Sequence, residues 1–198
     1  MPYGVFEEDG LRNESIILAP DGEFSDLYAK AHPVLFAGEP YGLNVGTYPV
    51  FDTKIGKLAT MICYDLNYTD VTRKVAAQGA QIIAAPSSDW AGIAEKQNPH
   101  LVFRAIETRT SIINAEKAFD SAIVDPYGHI LQETVSTEPT QAILIAEVPL
   151  GTADTLYLKL GDWLGWAALA GMIFFTIFSG KLVKQQQTAA GNPQEEIE

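Results

Sequence analysis

The stretch "GKLATMICYDLNYTD" carries the chain's single cysteine, Cys63, at the end of an apolar run and just before a polar turn. A cysteine that closes a strand and is followed at once by a turn into a helix lies where backbone N–H groups and the helix dipole favour a thiolate. The same groups could hold a bound carbonyl oxygen, so the chemistry on offer is acyl transfer through a thioester. Packing is the competing explanation, because free cysteine is among the most buried residue types and acts as a small hydrophobe. Topology by itself favours packing. The three histidines, His32, His100 and His129, show no metal-ligand spacing, and neither a metal nor a cofactor is expected.

Several elements must position that thiol. "ESIILA" followed by "PDGEF" reads as a strand entering a tight turn at Asp21 and Gly22. Pro33 and Pro40 break the next stretch, which leaves Lys30 near a strand end and Glu39 in a loop. "TYPVFDT" and "KLATMI", separated by "KIG", predict a hairpin whose second strand Cys63 closes. Residues 70–79 predict a helix capped by Asp70, with Val71, Val75 and Ala76 inward and Gly79 as its stop. "AQIIAAPSSDW" reads as a buried strand running into a polar loop, and Asn98 with Pro99 is expected to open a helix carrying Leu101, Val102, Ala105 and Ile106 on one face. "TSIINAE", "DSAIVD", "ILQET" and "QAILIAEV" supply further strands, and the alternation indicates a layered α/β domain.

The wording around the cysteine is more specific than its topology. "YAKAHPVLFAGE", "GTYPVFDTKIGKLATMICYDLNYTDVTRKVAAQGAQIIAAPSSDW" and "FRAIETRTSIINAEKAFDSAIVDPYGHI" resemble the nitrilase, or carbon-nitrogen hydrolase, superfamily. There a Tyr-x-Lys-x-His motif and a Cys-Tyr/Trp-Asp/Glu motif precede an Arg-Ala-x-Glu helix, and the matches keep that order over most of residues 13–148. The resemblance implies a nitrilase-like α-β-β-α sandwich, incomplete at the N-terminus. It implies that Cys63 is the nucleophile, that the Lys30 ammonium stabilises the oxyanion, and that Glu39 orients the lysine, although "HPVLFAGE" is one residue longer than the usual pattern. Asp65 would orient a neighbouring donor beside Tyr64, and Trp90 would line the acyl entrance or pack on the sheet. The family's general base is a glutamate well upstream of the lysine. Glu7, Glu8 and Glu14 are the upstream glutamates here, in a stretch that resembles a different family segment, so the sequence looks like the C-terminal part of a longer protein. "NYTD" stands where the family often has Phe-Pro-Glu, which bears on pocket shape.

Composition bounds the rest. A chain of 198 residues, 47% hydrophobic and 19% charged, can bury one sizeable core, while a net charge of -12 argues against nucleic acid as a partner. One cysteine makes no intramolecular disulfide. Trp163–Gly180 holds no charged residue for 18 positions, enough at about 1.5 Å per residue to cover most of a hydrocarbon layer of about 30 Å. Trp163 and Trp166 at one end and Lys181 and Lys184 at the other predict a span whose lysine end is cytoplasmic and whose larger domain is extracytoplasmic. The expected organisation is a catalytic part over residues 1–150, a juxtamembrane connection over 151–162, a transmembrane helix over 163–183 and a disordered cytoplasmic tail over 184–198. A nitrilase-like domain followed directly by a span is similar to one branch, the apolipoprotein N-acyltransferases. That branch implies a phospholipid acyl donor, an apolipoprotein acceptor and a membrane location. An anchored amide or nitrile hydrolase is the alternative with the same thioester, and a truncated fragment without catalysis, lacking the general-base glutamate, is the third reading.

Overall fold

The computed structural model describes residues 2–8, 10–117, 120–134 and 141–189. The chain falls into two units, Met1–Lys159 and Leu160–Glu198. In the first, strands β1 (Pro2–Glu7), β2 (Gly10–Ser15) and β3 (Tyr28–Ala29) form a small antiparallel sheet. Strands β4 (Val50–Thr53), β5 (Gly56–Thr60), β6 (Ile82–Ser87), β7 (Ser111–Glu116), β8 (Ala122–Val124) and β9 (Ile130–Glu133) form a second sheet in chain order. Within it β5, β6 and β7 are parallel, and the outer pairs are antiparallel. Parallel neighbours need crossovers, which are the helices α1 (Thr69–Ala77) and α2 (Ala91–Thr108). This is the α/β sandwich expected, with an incomplete N-terminal sheet.

The core lies between the large sheet and these helices, where Val71, Val75, Leu101 and Ala105 meet Ala59, Ile83, Ile112 and Val124, all fully buried. The inward face of α1 is the one its spacing predicts, and Gly79, at φ +91°, stops the helix in a conformation only glycine adopts without strain. Asp70 is not its cap. It lies inside the first turn, where its carboxylate holds Lys74 Nζ at 2.7 Å and His32 Nε2 at 2.6 Å.

Three other expectations change. Helix α2 opens at Ala91, and Pro99 lies in its interior; Gly92 and Pro99, both poor helix formers, disguise its first turns as loop. The strand predicted over "ESIILA" ends at Ser15, and only a single bridge between Leu18 and Phe24 spans the turn beyond it. "QAILIAEV" alternates as a strand should, yet it has no ladder partner among the described residues and leaves Ile143 and Ile145 more than four-fifths exposed. Alternation supplies a face, whereas a strand also needs a neighbour's N–H and C=O groups.

One buried carboxylate joins the two sheets. Asp65, fully buried, accepts the Tyr28 hydroxyl at 2.6 Å and the backbone N–H groups of His32 at 2.8 Å and Ile62 at 3.0 Å. Beside it the Ser15 and Thr60 hydroxyls, also buried, hydrogen-bond at 2.9 Å between the ends of β2 and β5.

A short helix α3 (Leu156–Leu160) closes the first unit; in the second, α4 (Trp163–Ala189) extends past residue 183 into the segment expected to be a tail, and residues 190–198 lie outside the described residues. The 18 residues Trp163–Gly180 are long and apolar enough to cross a membrane, and none is buried against protein. The hydroxyls of Thr176 and Ser179 bond back to the helix's own carbonyls at 2.8 and 3.2 Å, which removes the penalty of carrying them in hydrocarbon.

Two outcomes are expected. Tyr28→Phe leaves a buried carboxylate oxygen short of a donor, should cost about 2 kcal/mol, and should lower the unfolding midpoint by roughly 4–8 °C; an unchanged melt would remove this bond from the stability account. Phe174→Arg, in the middle of the apolar run, should shift the protein from the alkali-resistant membrane pellet toward the supernatant; identical partition would mean that α4 does not hold the protein in a bilayer.

Candidate active site

Parallel strands present all their carboxyl ends at one sheet edge. Cys63 follows β5, Asp89 follows β6, and Glu116 ends β7, so this edge gathers one thiol and two acids. Lys30, immediately after β3, arrives from the small sheet through the Asp65 junction. A cavity of about 630 Å³ lies between them, lined by Lys30, Glu39, Cys63, Asp89, Trp90 and Lys117 among others.

Cys63 begins a short 3-10 turn, Cys63–Asn67, with φ at +49°, a left-handed conformation that strains any residue with a Cβ. The turn is held from both sides, since Asp65 N–H donates to the Ile62 carbonyl at 3.0 Å while the Asp65 carboxylate accepts from Ile62 N–H. The strain is therefore locked in by a buried network. Its effect is to present Sγ to the cavity.

Lys30 and Glu39 are in direct contact. The Lys30 ammonium, almost fully buried, donates to Glu39 Oε2 at 2.7 Å; Val34 N–H donates to the same oxygen at 2.9 Å, and Asn13 Nδ2 donates to Oε1 at 2.7 Å. Burial pushes the Glu39 carboxyl up, but the bonds from Lys30, Val34 and Asn13 together hold it below its ordinary value. Gly38, left-handed at φ +82°, turns the chain so that Glu39 comes back over the lysine. The stretch between the two contains the 3-10 turn Leu35–Ala37.

Asp89 is the residue that sequence reasoning missed. The Cys63 thiol donates to Asp89 Oδ1 at 3.2 Å, and Asp89 Oδ2 is buried without a hydrogen-bond partner among the described residues. Burial pushes the Cys63 thiol up to about 12, the negative charge of Asp89 adds to the rise, and the Lys30 ammonium opposes it. Cys63 is accordingly a thiol at rest. Behind it, Glu116 Oε2 accepts the Asp89 backbone N–H at 3.1 Å, and Asn114 Nδ2 donates to Oε1 at 3.3 Å. Burial lifts the Glu116 carboxyl to about 7; the Asp89 N–H opposes that rise and the Asp89 charge reinforces it. The usable signal was positional, because the polar loop "SSD" follows the parallel neighbour of the cysteine's own strand.

The remaining candidates are placed as follows. Asp65 lies beneath the site and touches Tyr28 and the His32 backbone, so the Tyr-x-Lys-x-His motif is gripped on both sides of Lys30. Trp90, half exposed, lines the cavity mouth and meets Phe36 edge-on at 6.3 Å between ring centres; Tyr64 meets the same ring at 6.0 Å from outside the cavity. Of the upstream glutamates, Glu7 pairs with Arg12 at 3.0 Å and Glu14 is buried within 3.2 Å of Asn44 Nδ2; neither these nor Glu8 lines the cavity.

Comparison with known proteins agrees with this architecture. The family model described as carbon-nitrogen hydrolase matches residues 1–157. The chain is 27% identical over 193 residues to an apolipoprotein N-acyltransferase of Geobacter metallireducens, covering 84% of this chain and 36% of that one. It is 28% identical over 160 residues to a nitrilase of Pyrococcus abyssi, covering 74% of this chain and 58% of that one. It thus spans between about one third and three fifths of these relatives' lengths. In fold it is similar to Saccharomyces cerevisiae Nit3, a member of the nitrilase superfamily, with a TM-score of 0.60 at 24% identity over 69% of this chain and 55% of that one. The thiol on its strained turn, the buried lysine-glutamate pair and the family match over residues 1–157 agree, and the chain belongs to the carbon-nitrogen hydrolase family.

Proposed function

We propose that this chain carries the thioester-forming machinery of a cysteine hydrolase that cleaves a carbon-nitrogen bond in an amide or nitrile. The observation that supports this best is that Cys63, Lys30 and Glu39 face one cavity. For an amide, Sγ attacks the carbonyl carbon, the developing oxyanion is balanced by the Lys30 ammonium, and the amine departs to leave a thioester that water hydrolyses. Glu39 fixes Lys30 in place, so the donor needs no reorganisation as the oxyanion forms.

A second reading rests on different observations. The apolar helix α4, the exposed ring of Trp90 on the cavity wall with the exposed Phe36 ring edge-on against it, and the likeness to an N-acyltransferase favour a lipid acyl donor. In that reading a phospholipid ester acylates Cys63, and the chain passes to the N-terminal amine of a lipoprotein. The catalytic unit would then be extracytoplasmic, and the lysine end of α4 cytoplasmic. The two readings share a thioester at Cys63 and differ in the acyl donor and the acceptor.

With the native full-length protein, Cys63→Ala should abolish turnover, and Lys30→Ala should lower it by about 10²–10³-fold; full activity in Cys63→Ala would sink both readings. Release of ammonia from small amides without lipid supports the hydrolase. Transfer of a labelled acyl chain from phospholipid to a lipopeptide, with no ammonia released, supports the transferase instead. Because the thiol is held at about 12, iodoacetamide should label Cys63 slowly at pH 7, with a rate that climbs about tenfold per pH unit below that value; fast labelling at neutral pH would contradict the electrostatic account of the site.

A further inference from the structure

The stretch "NYTD", residues 67–70, ends the turn that carries Cys63 and opens α1, yet neither Tyr68 nor Asp70 lines the cavity. Both instead grip His32, two residues beyond Lys30. The His32 ring stacks on the Tyr68 ring at 3.9 Å between centres and 15° between planes, and its Nε2 lies 2.6 Å from Asp70 Oδ1. The His32 N–H also donates to Asp65 Oδ1 at 2.8 Å, so this residue is held at its face, its edge and its backbone. Asp70 is itself fixed. Lys74 Nζ donates to its other oxygen at 2.7 Å and to the Tyr48 hydroxyl at 2.8 Å, and lies 4.3 Å from the centre of the Tyr48 ring. Burial pushes the Asp70 carboxyl up, but Lys74 and His32 together hold it below its ordinary value, as an acceptor for the imidazole.

Strand pairing is too short to place Lys30 by itself. Strand β3 has two residues, paired as Glu14↔Ala29 and Ser15↔Tyr28, and one further backbone bond, from Lys30 N–H to the Asn13 carbonyl at 2.9 Å, follows them. A ladder of that length leaves the direction of the strand end loosely set. Direction matters here, because a misplacement of about 1 Å at a reacting centre can cost about 100-fold in rate. The grip on His32 supplies what the ladder lacks. It ties the end of β3 to the turn of Cys63 and to the first turn of α1, so the thiol and the ammonium are set against one segment.

We propose that Tyr68 and Asp70 are positioning residues for Lys30, acting through the His32 ring. The inference rests on the thioester reading above, in which the Lys30 ammonium meets the oxyanion. Neither residue touches the substrate. Each holds the strand end at a fixed place relative to Sγ, so that the ammonium stands where the negative charge develops.

A residue that acts through Lys30 has nothing to act on once the ammonium is gone. With the native full-length protein in detergent micelles, acylation of Cys63 by p-nitrophenyl butyrate is followed as the nitrophenolate burst. Asp70→Ala should slow the burst by about 10-fold or more, whereas in a Lys30→Ala background the same substitution should change it by less than about 2-fold. Equal factors in the two backgrounds overturn the proposal, since they mark a merely structural role, and so does an unchanged burst in Asp70→Ala. Asp70→Ala also frees Lys74. If that variant lacks a native melt, Tyr68→Ala decides on the same cycle. Tyr68→Phe, which keeps a ring against His32, should retain the wild-type burst; a burst as slow as that of Tyr68→Ala removes the stacking contact from the account and overturns the proposal. A wild-type protein that forms no thioester, or a Lys30→Ala variant with a wild-type burst, refutes the thioester reading and this inference with it. A normal burst that depends on Lys30 but shows equal factors in the two backgrounds refutes this inference alone.

Discussion

Everything at the site hangs from the buried carboxylate of Asp65. It binds the Tyr28 hydroxyl and the His32 backbone on one side and the Ile62 backbone on the other, and so fixes the strand end carrying the lysine to the turn carrying the thiol. These two pieces come from different sheets and have no ladder between them. Burial pushes the Asp65 carboxyl up, against the pull of its three donors. Such a group is a junction with little tolerance: each donor removed leaves a desolvated oxygen that the protein interior cannot compensate.

Around that junction the charges are arranged in two compartments. Lys30 is held by a carboxylate that also accepts from Val34 N–H and Asn13 Nδ2, so the ammonium is fixed in position at the cavity. Asp89 and Glu116 form an acidic flank on the other side of the sulfur, gathered there because the parallel order β5, β6, β7 brings three carboxyl ends to one edge. Burial first and the Asp89 charge second hold the Cys63 thiol neutral, against the pull of the Lys30 ammonium.

Much of this was legible before the fold. The alternation around "KIG", the inward face of α1 and the stop at Gly79 follow from local chemistry that tertiary contacts reinforce. The residues that the motifs pointed to, Cys63, Lys30 and Glu39, line one cavity, Glu39 reaching it across the 3-10 turn Leu35–Ala37. What stayed hidden was set at long range. Asp89 looked like one polar residue in a loop because its meaning depends on β6 lying beside β5, a pairing no local pattern encodes. The early start of α2 was hidden for the opposite reason, as Gly92 and Pro99 oppose a helix that packing of Leu101 and Ala105 imposes.

The left-handed backbone at Cys63 also sets which sequences can occupy this position. A glycine there would relieve about 1–2 kcal/mol of strain and remove the thiol, so greater stability and the proposed chemistry pull the codon in opposite directions. A β-branched residue is excluded from both outcomes, which bars threonine, although its hydroxyl is a nucleophile elsewhere.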